Sequence, residues 1–276
     1  MPRLTQVWHC ILVAVVVVAG APDHALAQGG LSVSYTLATA APTVNEPVFV
    51  KFTVYNGRSA PVVADLAMNS HGYGGFQGKL TRPDARTEDG PTVTPGEWVP
   101  RNRVSIAPDE TFTMLLPINK WFDFDVPGRY FLEIGTRKAL TTEAGLELPA
   151  LTGGNLEIEV GPREPARLKR ICADLEGRAL NSQAPGWFEA AETLSHIHDP
   201  VAVPYLARLL GTRDDLTYVL AEGLERIGDG PAVDALLAHA NDGAEDRRNA
   251  VRSALAVIES KTHDPEILRK IQDSRR

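Results

Sequence analysis

The hydrophobic period of this chain changes once, and that change limits its fold more than any other feature. Up to about Val160 apolar residues alternate with polar ones; beyond Pro165 they recur three and four apart, in a segment that repeats. Alternation puts side chains on opposite faces of a strand, whereas the longer period makes one stripe along a helix. A chain of 276 residues with this switch divides into a strand-built and a helix-built part, each large enough for its own core. The boundary is expected in Gly161-Pro162-Arg163-Glu164-Pro165, giving residues 28–162 to a β domain and 163–276 to a helical one.

In the helical part an offset of 30 residues brings Ala191 onto Ala221, Leu194 onto Leu224, Ile197 onto Ile227 and Asp199 onto Asp229. Ala202-Val203 then falls on Ala232-Val233, and Leu206 on Leu236. A third copy places Leu255 and Ile258 31 residues beyond Leu224 and Ile227, followed by Asp264-Pro265 and the stripe Ile267, Leu268, Ile271. Asp199-Pro200, Gly230-Pro231 and Asp264-Pro265 end one helix and open the next, because the cap satisfies free amides and Pro fits the first helical position. One such pair cannot bury its apolar face alone, so neighbours are expected to stack, with the helix Ala166–Leu180 closing the stack.

In the strand part, Leu31, Val33, Tyr35 and Leu37 alternate with Ser and Thr, and Val48, Val50, Phe52 and Val54 follow the same rule. Phe112, Met114 and Leu116, then Tyr130, Leu132 and Ile134, then Leu156, Ile158 and Val160 continue it. Asn56-Gly57, Pro95-Gly96, Pro127-Gly128 and Gly153-Gly154 read as turns. Strands without intervening helices imply an antiparallel sandwich.

Two segments sharpen this reading. Trp121–Leu132 delivers Tyr130 from a turn into an alternating strand, which resembles the tyrosine corner of immunoglobulin-like sandwiches, and Asn45–Asn56 is similar to second strands of bacterial immunoglobulin-like domains. Leu132 stands where an antibody domain has its second Cys, and Pro61–Asn69 holds no Trp, so the resemblance implies a disulfide-free sandwich. The helical copies resemble HEAT-like repeats, particularly the short variety of phycobilisome lyases, although about 30 residues is shorter than the roughly 40–47 of HEAT repeats. Together these imply a multidomain β + α protein, an antiparallel immunoglobulin-like sandwich followed by a short HEAT-like α-solenoid.

Chemical signals are sparse. The net charge of −7, spread over both parts, weighs against nucleic acid, whose binding needs excess Lys and Arg. Arg3, the nine-residue apolar run Ile11–Ala19 and Ala25-Leu26-Ala27 read as a signal peptide cut after Ala27 (residues 1–27), too short for stable membrane insertion. The mature chain then has Cys172 alone, in an apolar stripe, as a buried thiol. No Gly-x-Ser-x-Gly elbow or His-Glu-x-x-His helix occurs, and no calcium loop or phosphate loop is present. His196, His198 and Asp199 invite a zinc reading, but residues two apart on a helix diverge, so exposed turn positions are expected instead.

No catalytic residue, cofactor or metal is therefore expected. The reading is an exported, periplasmic or extracellular, non-catalytic interaction or scaffold protein of a bacterial envelope, with a protein or peptide partner. The alternatives are a carbohydrate-binding or protease-inhibitor-like module, or the regulatory subunit of an envelope enzyme. With the apolar stripes turned inward, Tyr205, Arg208, Asp234, Arg269 and Lys270 remain for a partner on the concave side of the stack. Tyr73 and Trp98, in the long irregular stretch Asn69–Arg103, are candidates for a second contact.

Overall fold

The computed structural model describes residues 26–275 except 29, 66–67, 70–71, 74, 91–102, 137–139, 147, 149–151 and 242. The apolar run of the expected signal peptide, Trp98 and the Pro95-Gly96 turn lie outside the described residues. The strands are β1 Leu26–Gln28, β2 Leu31–Leu37, β3 Phe49–Asn56, β4 Val62–Asp65, β5 Met68–Asn69, β6 Gly72–Tyr73 and β7 Phe76–Thr81. They continue with β8 Thr87–Asp89, β9 Arg103–Ile106, β10 Thr111–Pro117, β11 Gly128–Thr136, β12 Leu140–Thr142 and β13 Thr152–Val160. The helices are α1 Pro165–Leu180, α2 Trp187–Ser195, α3 Val203–Thr212, α4 Thr217–Ile227, α5 Gly230–Leu237, α6 Glu245–Lys261 and α7 Pro265–Asp273.

This arrangement corrects the expected immunoglobulin-like sandwich followed by a HEAT-like solenoid. Among the described residues the strands form four small antiparallel sheets, ordered β1-β2-β3-β10, β13-β11-β7-β8, β12-β4-β9 and β5-β6. The seven α-helices among the described residues range from 8 residues in α5 to 17 in α6, and 3-10 turns at Pro200–Ala202 and Asp214–Leu216 lead into α3 and α4. The result is a mixture of small sheets and unequal helices.

The dispersal of the strands has a local cause. Asn56 does not close a tight hairpin: its side-chain amide donates to the carbonyls of Ala60 and Ile106, and its Oδ1 accepts from Arg58 N. The chain is thereby turned out of the first sheet, and β4 pairs with β9 and β12 instead of β3. Gly153-Gly154 lie inside β13 and do not form the expected turn. Ile134 faces Gly154 while Gly135 faces Thr152, so Gly153 is the extra residue of a bulge. A Cβ on Gly154 would lie 3.0 Å from Tyr35 Cβ, so glycine lets β13 approach β2.

Side chains on the alternate positions of these strands meet in one core that includes Val33, Val50, Phe52, Leu116, Leu132 and Ile158. Tyr130 lies within it, fully buried, with its hydroxyl donating to the Val126 carbonyl at 2.9 Å and its ring against Phe124. A second core gathers the helices around Leu168, Leu194, Leu206, Leu224, Val251 and Ile258. Asp199, Asp229 and Asp264 each accept from a backbone amide of the turn they open. The stripes Ala202, Val203, Leu206 and Ala232, Val233, Leu236 are buried, as are Ile267 and Ile271.

Where α4 crosses α2, Gly223 allows the closest approach: a Cβ there would stand 2.8 Å from Ser195 Cα and 2.9 Å from its Cβ. Gly→Ala inside a helix ordinarily stabilises by about 1 kcal/mol. Gly223→Ala is expected to do the reverse, lowering unfolding free energy by roughly 1–3 kcal/mol, because backbone must move. Tyr130→Phe should cost about 1 kcal/mol by removing a buried hydrogen bond. Urea midpoints check both, and a higher midpoint for Gly223→Ala would show that α2 and α4 do not touch there.

Candidate functional site

The strand-built and helix-built parts meet in a polar junction. From the strand side come the loop Thr43–Pro47, Lys120 in the 3-10 turn after β10, and Asp123. From the helical side come Arg163 in the connection, Arg167 on α1, Glu192 on α2, and His198 and Asp199 before α3. Asn45, at φ 65°, adopts the left-handed conformation that Asn tolerates better than most residues, and its side chain thereby reaches Asp199.

Asp199 is 1% exposed and its oxygens are fully engaged. Arg163 grips both, Nε to Oδ2 at 2.6 Å and Nη2 to Oδ1 at 2.8 Å, while Asn45 donates to Oδ2 and Val201 N to Oδ1. Burial alone would raise this carboxyl; the donors outweigh it and hold Asp199 below the usual carboxylate range. Glu46, also 1% exposed, accepts from Thr43 N, and its other oxygen lies 2.7 Å from Arg167 Nε, an ion pair off the hydrogen-bond line. Lys120 Nζ reaches Glu192 Oε2 at 2.7 Å with both side chains largely out of water.

The histidines are not the exposed turn residues expected from the sequence. His198 Nδ1 donates to Asp123 Oδ1 at 2.8 Å, and this bond keeps Asp123 below its ordinary range against the opposing effect of burial. His196 Nδ1 lies 2.8 Å from the Glu192 carbonyl, which can only accept, so Nδ1 carries the proton. Burial pushes this imidazole down to about 3, with Arg226 acting in the same direction. Burial also raises the Cys172 thiol to about 12, so it stays protonated at neutral pH.

Beside the junction a cleft of about 420 Å³ opens between α1 and the segment Thr39–Phe49. One wall is Thr39, Glu46, Pro47 and Phe49; the other is a single face of α1. The inner ridge of that face is Arg167, Ile171 and Leu175, and the outer ridge Arg170, Asp174 and Arg178, each at four-residue spacing. Leu168, Cys172, Leu175 and Ala179 pack into the helical core on the adjoining side, so Leu175 is shared between that core and the floor of the cleft. Arg167 is tied to Glu46, whereas the side chains of Arg170 and Arg178 are exposed and make no hydrogen bond or ion pair among the described residues. The cleft thus combines an apolar floor with two uncommitted guanidinium groups.

The candidates named from the sequence fall elsewhere and largely satisfy one another. Tyr205 is 6% exposed and belongs to the helical core instead of an open face. Arg208 stacks over its ring at 4.8 Å and makes two 2.7 Å bonds to Glu176 on α1. Asp234 and Lys270 pair across α5 and α7 at 2.8 Å, and Arg269 is exposed. Tyr73 contributes backbone to β6, but its side chain, like Trp98, lies outside the described residues. The α1 arginines were missed because that helix read only as an end cap. Their eight-residue spacing on a ridge outside the stripe of Leu168, Cys172 and Ala179 is the available signal.

The junction carries a pH prediction. His196 titrates near 6.5 when unfolded and near 3 when folded, so the unfolded state takes up the proton first as pH falls. Its contribution is present above about pH 6.5 and is lost progressively below it, by at most about 1.4 kcal/mol per pH unit. The urea midpoint should decline between pH 6.5 and 4, and His196→Asn should flatten that decline. An equally steep fall in the variant would assign it to other groups.

No protein-family model matches the chain, and no curated protein matches it. Among solved structures it is similar to the putative ApaA protein from Bordetella pertussis, at 15% identity and a TM-score of 0.29, over 47% of this chain and 93% of that one. It is also similar to a β-glucosidase from Listeria innocua, at 15% identity and a TM-score of 0.27, over 48% of this chain and 16% of that one. DesR, a β-glucosidase from Streptomyces venezuelae, shares 19% identity at a TM-score of 0.22, over 47% and 15% of the two chains. Likeness this slight carries no weight for the fold or the function of this chain.

Proposed function

We propose that this is an exported, non-catalytic binding protein that takes a segment of a protein partner in the cleft beside α1. The observation that carries the reading is the pair of exposed, uncommitted arginines, Arg170 and Arg178, facing an apolar floor of Pro47, Phe49, Ile171 and Leu175. Apolar concavities with a few directed polar groups are common binding sites. Two charged guanidinium groups without a partner among the described residues are well suited to bidentate recognition of carboxylates. The ion pairs of Glu46 and Asp199 support the same reading, because they fix the distance between the two walls before a partner arrives. Export rests on the charged start, the short apolar run and Ala25-Leu26-Ala27.

The test is a comparison of captured partners. Wild-type Gln28–Arg276 and the Arg170→Glu/Arg178→Glu variant are immobilised and exposed to an extract of the producing cells, and the retained proteins are identified by mass spectrometry. A specific partner retained by the wild type should be lost from the variant, whose circular dichroism spectrum should be unchanged because both side chains are exposed. A partner kept in full by the variant would remove the cleft from consideration.

A further inference from the structure

The spacing of the two free arginines says more about the occupant. Arg170 and Arg178 stand eight residues apart on one ridge of α1, or about 12 Å along the axis at 1.5 Å per residue. No single carboxylate spans that distance. Asp174 lies midway on the same ridge and repels a third negative charge placed between them. A cleft of about 420 Å³ accommodates a short stretch of extended chain with a few side chains.

We propose that the cleft binds an extended acidic segment of a protein partner, with carboxylates at positions i and i+4 meeting Arg170 and Arg178 and an uncharged residue between them. In extended chain four residues cover about 13 Å and bring both acidic side chains to the same face, which matches the arginine spacing. Apolar side chains of the segment cover Phe49 and Ile171, so desolvation strengthens the charge pairs beside them. This assignment rests on the cleft being the binding site, and it adds the class of ligand and its register.

Synthetic peptides test it with the full mature chain. The probe is coumarin-labelled Ala-Glu-Val-Ser-Val-Glu-Ala, read by fluorescence anisotropy at low salt. Its comparators are the isomer with adjacent glutamates, the analogue with both glutamates changed to Gln, and one with a third Glu in place of Ser. The spaced peptide should bind roughly fivefold more tightly than any of the three. Arg170→Gln and Arg178→Gln should each weaken it about threefold and abolish its advantage over the adjacent isomer. Equal affinity for the two isomers, or no binding up to the solubility limit, would overturn the proposal. So would displacement of the peptide by phosphatidylserine vesicles but not by phosphatidylcholine vesicles together with indifference to glutamate spacing, which would make the arginines a membrane contact. If the arginines are needed for partner capture yet the isomers bind alike, the ligand class fails while the binding site stands. If the isomers differ as expected and capture is unaffected, the ligand class stands and the assigned function fails.

Discussion

Glu46 and Asp199 each bring a carboxylate to a place almost without water, and the relation of the two cores depends on how those charges are met. Removing a carboxylate from water costs several kcal/mol unless paired donors replace its hydration. Asp199 receives Arg163, Asn45 and Val201 N; Glu46 receives Thr43 N and Arg167. Such pairs are weak evidence for stability, since well-packed apolar residues often serve as well. Their effect here is geometric. A displaced strand part would leave both carboxylates buried without partners, so one arrangement of the junction is preferred over its neighbours.

That constraint passes directly to α1. Arg163 precedes the helix and Arg167 lies in its first turn, so both anchors sit at one end. The inner stripe of Leu168, Cys172, Leu175 and Ala179 fixes its rotation against the helical core. Rotation and anchoring together leave the ridge of Arg170, Asp174 and Arg178 beside the Thr39–Phe49 segment. The residues that open the cleft are therefore held by groups that do not line its outer edge, which separates the upkeep of its shape from whatever it contacts.

Much of this was legible where the determining physics is local. Leu31–Leu37 and Phe49–Asn56 alternate as the sequence pattern requires, and Asp199, Asp229 and Asp264 cap the turns that they precede. Tyr130 bonds back to Val126, four residues away. What failed was non-local. Gly153-Gly154 reads as a turn until β2 is known to pass so close that a side chain is excluded. His196 and His198 read as exposed because Asp123, which His198 meets, lies 75 positions earlier in the chain. Tyr205 reads as an open-face residue from its place beside the stripe, yet Arg208, paired with Glu176 of α1, stacks over its ring and it is buried. Several strand pairings likewise join positions far apart in the chain, such as Leu140 of β12 with Ala64 of β4, which periodicity does not specify.

The overall charge also bears on how the cleft would be used. A net charge of −7 opposes the approach of an acidic segment at long range, so electrostatic steering of the whole molecule works against the encounter. At physiological ionic strength that repulsion fades beyond about 8 Å, while groups in contact are screened much less. Arg170 and Arg178 then act only on a ligand already seated against Phe49 and Ile171. Under those conditions a diffuse polyanion gains little from two positive charges. A short segment with its carboxylates in register gains both pairs at once. Selectivity would reside in the spacing of the arginines, and that spacing is a property of α1 itself.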